Sequence, residues 1–285
     1  MQKHLLITVS DEMSHLYGVR FVARFFQHKA PLRLTLLYVA PTQAPGDWKA
    51  DRPSGRAKVP EETRARGEKA LDRSAEILME AGFSESQIQS KLVPKEMETV
   101  KEIVMEARRG DYDAVVLGRR GYAAFVGVFA TSISTEVLRQ PLPCPLWICR
   151  NPGSERERVL LCVDDSHASV RIVDHVGFMV RDEPHRICLF HVITDRGRQT
   201  REIVDTARSV LVENGVAADR IDWKIMVSQN VSEAIMDECR IAPTSVVAMG
   251  HENDGSTGLF GGLFSGSVCS GVLKRFENGA LWISK

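Results

Sequence analysis

At 285 residues the chain has room for about two domains, each long enough to bury its own core. Lys plus Arg and Asp plus Glu both number 37, so no global basic field points to nucleic acid or to an anionic membrane. No apolar run approaches the roughly 18 residues of a membrane span, and the six cysteines lack CxxC spacing, which predicts a cytoplasmic protein with reduced core thiols.

The chain opens on Leu5-Leu6-Ile7-Thr8-Val9, cut short by Ser10-Asp11-Glu12, and this reads as a first strand rather than an export signal. The same pattern returns later. Leu5 to Asp11 answers Leu160 to Asp165, Leu34-Thr35-Leu36-Leu37-Tyr38-Val39 answers Ile187-Cys188-Leu189-Phe190-His191-Val192, and Ala114-Val115-Val116-Leu117-Gly118 answers Val246-Val247-Ala248-Met249-Gly250. Finally, Leu146-Trp147-Ile148-Cys149 answers Leu281-Trp282-Ile283-Ser284. Amphipathic segments separate these strands, at 16–27 and 169–180, at 68–81 and 201–214, and at 99–109 and 231–239, with Gly82 and Gly215 where helix C-caps belong. Alternating strands and helices predict an α/β fold: two tandem, five-stranded parallel sheets covered on both faces, over residues 1–150 and 155–285. Asn151-Pro152-Gly153-Ser154 forms the junction. The terminal strands around Trp147 and Trp282 suit sheet edges, so the halves are expected to pack through them as an intramolecular pseudo-dimer, with a homo-oligomer as a further option.

The repeat offset falls from about 153 residues at the second strand to about 132 at the fourth, which marks 41–66 as an insertion in the first half. It is rich in Pro, Gly, Lys and Arg and reads as a solvated loop, with Trp48 as the anchor of a lid or protein-binding loop in the sharper reading.

One stretch carries the chemistry. The buried strand Val246 to Met249 enters a loop holding six glycines from Gly250 to Gly266 and ends at Ser267, an N-cap for a helix whose face would carry Val268, Val272, Leu273 and Phe276. Glycines let backbone N–H groups approach a ligand, and a helix N-terminus adds donors of its own, so the stretch reads as an anion cradle. A tight connection without a ligand is the plainer alternative. The first turn of the second half has no G-x-G-x-x-G, which argues against a dinucleotide site, and Arg119 and Arg120 are too few for a nucleic-acid surface.

Val163-Asp164, His191-Val192, Met249-Gly250 and Gly266-Ser267-Val268, taken in order, resemble the universal stress protein family, here with two domains in tandem. The resemblance implies a Rossmann-like, adenine-nucleotide-binding fold, and its ATP-binding members carry Gly-x2-Gly-x9-Gly followed by Ser or Thr. In the second half two residues are inserted before Gly255 and ten separate it from Gly266. In the first half Gly118 and Gly121 keep the spacing, but Thr131 replaces the last glycine before Ser132, and Ser10 stands where the second half has Asp164. Family correspondence places Val163 and Asp164 at adenosine, Val192 at adenine, and Met249, Gly250, Gly255, Gly266, Ser267 and Val268 around ribose and phosphates. It implies ATP with Mg²⁺ or Mn²⁺, and a stress or signalling role. The chemistry then favours the second half: a β-branched residue at positive φ costs about 1–2 kcal/mol and a lost charged acceptor about 1.5–3 kcal/mol, together about a hundredfold in affinity. Glu252 and Asp254 could assist a metal but read more simply as solvated. His251 reads as structural rather than as a general base, His191 as a support for the pocket, and no residue is assigned to catalysis. Slow hydrolysis at most is expected, because no base, nucleophile or transferring lysine converges on the loop. A protein-binding scaffold of the same fold is the second reading.

Overall fold

The computed structural model describes residues 1–12, 16–42, 58–118, 140–151, 157–194, 200–251 and 267–285. They form two compact units, residues 1–24 with 29–149 and residues 25–28 with 150–285. The first contains β1 (Lys3–Thr8), α1 (Tyr17–Phe25), β2 (Leu32–Ala40), α2 (Glu61–Glu80), β3 (Ile88–Pro94), α3 (Thr99–Arg109), β4 (Ala114–Gly118) and β5 (Leu146–Cys149). The second contains β6 (Arg158–Cys162), α4 (His167–Val180), β7 (Arg186–Ile193), α5 (Thr200–Glu213), β8 (Ile221–Val227), α6 (Val231–Ile241), β9 (Val246–Gly250), α7 (Ser267–Arg275) and β10 (Ala280–Ser284).

Every strand pair within each unit is parallel, in the orders β3-β2-β1-β4-β5 and β8-β7-β6-β9-β10. The central strands are apolar on both faces because helices cover both, and Leu5, Leu6, Ile7, Val115, Val116, Leu160, Leu161, Val246 and Val247 are fully buried. Register corrects one detail of the repeat. Leu5 pairs with Ala114 as Val159 pairs with Val246, so Leu5 corresponds to Val159, not Leu160, while Ser10 still answers Asp164.

The helix ends repeat as well. Gly82 (φ +98°) and Gly215 (φ +93°) follow α2 and α5, and in each case the next N–H reaches back to the helix, Phe83 to Leu78 O and Val216 to Leu211 O. Helix α2 begins at Glu61, so the last part of the expected 41–66 loop is helix; Trp48 lies outside the described residues. All six cysteines are free thiols, and burial pushes Cys144 and Cys269 up to about 12. Among the described residues no helix is long and apolar enough to cross a membrane.

A buried carboxylate holding a strand cation recurs at the same place in both units. In the first, Glu106 on α3 accepts from Lys91 Nζ of β3 at 2.6 Å and from the Tyr112 hydroxyl at 2.7 Å. In the second, Glu238 on α6 accepts from Arg158 Nη2 and from Lys224 Nζ of β8, each at 2.5 Å. Burial alone would raise both acids, but the hydrogen bonds from these cations outweigh it and hold both below the ordinary carboxylate range. A lowered folded-state value contributes stability that is complete above the unfolded pKa and lost as pH falls through the folded one. Denaturant midpoints are therefore expected to hold through neutral pH and to drop below about pH 4, and Glu238→Gln is expected to flatten that acid limb.

Candidate nucleotide site

Strand β6 pairs with β7 on one side and β9 on the other, so the carboxyl ends of β6 and β9 flank a topological switch point, where open α/β sheets form their crevices. Just past β6, buried Val163 continues the ladder, its N–H donating to Phe190 O at 3.0 Å. Its carbonyl is 2.7 Å from Nδ1 of buried His191, and a carbonyl can only accept, so Nδ1 carries the proton. His191 thus holds the turn in place, as expected for a supporting residue, and half-buried Val192 follows it.

Asp164 is the next residue and is exposed. Its N–H donates to Ser169 Oγ at 3.0 Å, and its Oδ1 accepts from the Ser166 N–H at 3.0 Å. Ser166 caps α4 by accepting from the Ser169 N–H, also at 3.0 Å. The Ser166 N–H thus fixes the carboxylate and Ser169 Oγ the Asp164 backbone, at a helix N-terminus where negative charge is favoured. Neither serine was singled out in the sequence; Asp164-Asp165-Ser166 ahead of an amphipathic run is the capping signal that marks them.

On the other side, Met249 is buried and Gly250 ends β9. A Cβ on Gly250 would lie 2.6 Å from Ala168 C and 2.7 Å from Ser169 N, so the strand end rests directly on the first turn of α4. The glycine is thereby explained by close packing, a role distinct from the phosphate contact expected for it. His251 is buried and extends the ladder, its N–H donating to Ser284 O at 2.8 Å. Ser267 opens α7, with Val268 half-buried and Cys269, Val272, Leu273 and Phe276 buried. Lys285 follows β10 at the same end of the sheet, its ammonium pushed down to about 8 by burial. Gly255, Gly266, Glu252 and Asp254 lie outside the described residues, as do Gly121, Thr131 and Ser132 of the first unit. Among the described residues no group of three or more His, Cys, Asp or Glu could hold a metal ion.

A cavity of about 560 Å³ opens between α4 and α5; Val163 and Asp164 line it, whereas Val192, Met249, Gly250 and Val268 do not. The first unit differs at the matching place. Tyr38 stands where His191 does, and a Cβ on Gly67 of α2 would lie 2.6 Å from the Tyr38 ring, so the ring packs directly on that helix.

The sequence matches the universal stress protein family model over residues 1–150. The chain belongs to the universal stress protein family. The match covers the first half, and the internal repeat and identical strand order bring the second half to the same fold. Among solved structures, a universal stress protein from Archaeoglobus fulgidus DSM 4304 is 19% identical, covers 99% of this chain and 96% of its own, and superposes with a TM-score of 0.72. A putative universal stress protein from Pseudomonas aeruginosa UCBPP-PA14 is 15% identical over 100% of this chain and 93% of its own, with a TM-score of 0.58. These likenesses carry the tandem universal stress protein fold. A universal stress protein from Archaeoglobus fulgidus in complex with dAMP matches 46% of this chain and 98% of its own at 16% identity and a TM-score of 0.35, too slight a likeness to place a ligand here. No curated protein matches the sequence.

Proposed function

We propose that the second unit binds an adenine nucleotide, ATP with Mg²⁺ or Mn²⁺, at the carboxyl ends of β6 and β9, and that occupancy acts as a stress or signalling state of a cytoplasmic protein, with at most slow hydrolysis. The observation that carries this reading is the Asp164 turn: an exposed carboxylate held by the Ser166 N–H, with its backbone held by Ser169 Oγ, at a switch point backed by His191 and braced by Gly250. Such a carboxylate accepts hydrogen bonds from a nucleoside, and α7, the next helix after β9 in the chain, has an amino end with N–H donors that suit phosphate. The metal would arrive with the triphosphate and keep most of its waters. Pairing of the two units through their last strands belongs to the same proposal.

Placement in the second unit is supported by Ser10 and Tyr38, which stand in the first where Asp164 and His191 stand in the second. No observation favours the scaffold reading, which rests on Trp48. The test is thermal or denaturant unfolding of nucleotide-stripped protein. Mg·ATP at a hundred times its Kd is expected to add about 2.7 kcal/mol to the second unit. An unchanged transition with ATP and with Mg·ATP would remove the nucleotide reading.

A further inference from the structure

The chain between β9 and α7 brings no cation to a phosphate: residues 251–266 contain no Lys or Arg and two acids, Glu252 and Asp254. A triphosphate keeps net negative charge even with one divalent ion bound, so it gains from a cation supplied by another element. Strand β10 supplies one. It runs parallel to β9 with Ser284 opposite Gly250, and the His251 N–H donates to Ser284 O at 2.8 Å, so Lys285 emerges beside the start of that stretch. Trp282 meets the ring of His175 on α4 at 5.8 Å, and alternation along the extended chain turns Ile283 and Lys285 to the opposite face. There the Lys285 ammonium lies close enough to Cys269, in the first turn of α7, for the two groups to interact electrostatically. Arg171 of α4 holds the backbone in place by donating from Nε to Lys285 O.

The placement is unusual for a lysine. Cations favour the carboxyl end of a helix, whereas this one stands, half-buried, beside the amino end of α7. A phosphate oxygen there is attracted both by the ammonium and by the N–H groups of the helix. We propose that Lys285 binds the phosphates of the nucleotide and so makes the second unit selective for polyphosphate over adenosine. The assignment rests on the nucleotide reading above and deepens it. It also predicts a pH dependence with a definite sign. Burial brings the ammonium down to about 8, and a bound phosphate favours its charged form, so affinity for ATP falls as pH rises above that value. Of the groups beside it, Arg171 stays charged and Cys269 stays a neutral thiol until about 12; His251 is buried in the ladder.

The experiment is calorimetric titration of nucleotide-stripped, full-length protein with Mg·ATP and with adenosine, each at about pH 7.5 and about pH 9. Wild-type protein is expected to bind ATP several-fold more weakly at the higher pH and adenosine equally at both. Lys285→Met is expected to weaken ATP at least about tenfold at the lower pH, to abolish the pH effect, and to leave adenosine within about twofold, which also shows that the site is folded. Lys285→Arg, charged throughout, is expected to keep most of the ATP affinity and to hold it at both pH values. Wild-type ATP affinity in Lys285→Met, or an equal loss for ATP and adenosine, would overturn the assignment while leaving the nucleotide reading in place. Binding of neither ligand by the wild type would remove both.

Discussion

Gly250→Ala is expected to cost about 2 kcal/mol of stability in the second unit and to weaken nucleotide binding at least tenfold, although it adds a single methyl. The cause is what that methyl meets. Ala168 C, Ser169 N and Ala168 Cβ lie 2.6, 2.7 and 2.9 Å from it, and two of these are backbone atoms of the first turn of α4 that no rotamer change can clear. Either β9 withdraws or α4 shifts, and a shift of α4 carries Ser166 and Ser169 away from Asp164. A control exists in the first unit. A Cβ on Gly18 of α1 meets Val116 Cγ1 at 3.2 Å and Gly118 N at 3.4 Å, contacts that a small adjustment relieves. Gly18→Ala gains about 0.5–1 kcal/mol from helix propensity and is expected to come out near neutral. Urea unfolding of both variants, with Mg·ATP titrations, checks the contrast.

Glu238→Ala is expected to be more destabilising, by about 3 kcal/mol, while leaving nucleotide affinity within about twofold of wild type under conditions where the protein stays folded. Glu238 is 3% exposed and is the acceptor of both Arg158 and Lys224. Its removal strands two cations; the estimate sits at the low end of the range for broken buried pairs because Lys224 is 39% exposed. The pair sits at the start of β6, the opposite end of that strand from Asp164, which is why affinity is spared. Lys224→Met combined with Glu238→Leu is expected to recover part of the loss, since an apolar replacement leaves fewer charges unpaired.

The strands that were legible in the sequence are those buried on both faces. Leu5-Leu6-Ile7, Val115-Val116, Leu160-Leu161 and Val246-Val247 leave no solvated side to interrupt an apolar run, so their type and pairing could be read directly. The third strand of each unit was counted but not placed. Ile88-Gln89-Ser90-Lys91 and Ile221-Asp222-Trp223-Lys224 sit at the outer position of their own sheet, half-exposed, and mix polar with apolar residues as such a strand must. Helix α2 began earlier than expected because Glu61-Glu62-Thr63-Arg64-Ala65-Arg66 buries only Thr63, which leaves hydrophobic periodicity almost nothing to register.

Asp164 and His191 were singled out through the family resemblance, and the geometry gives each a hydrogen bond that orders the turn. Family correspondence placed Gly250 near ribose and phosphates; that its Cβ space is also taken by α4 is a contact between elements 82 residues apart in sequence that no local pattern reveals. The cavity was invisible for the same reason: residues of α4 and α5, from separate stretches of the chain, line it together.

The central claim is that Asp164 organises a nucleotide site in the second unit. Isothermal titration of Mg·ATP into nucleotide-stripped wild-type protein and into Asp164→Ala tests it most directly. About one site per chain is predicted for the wild type, with an affinity loss of about 10- to 150-fold in the variant, the size of a lost charged acceptor. Binding that is unchanged in Asp164→Ala, or absent from both proteins, would contradict the account.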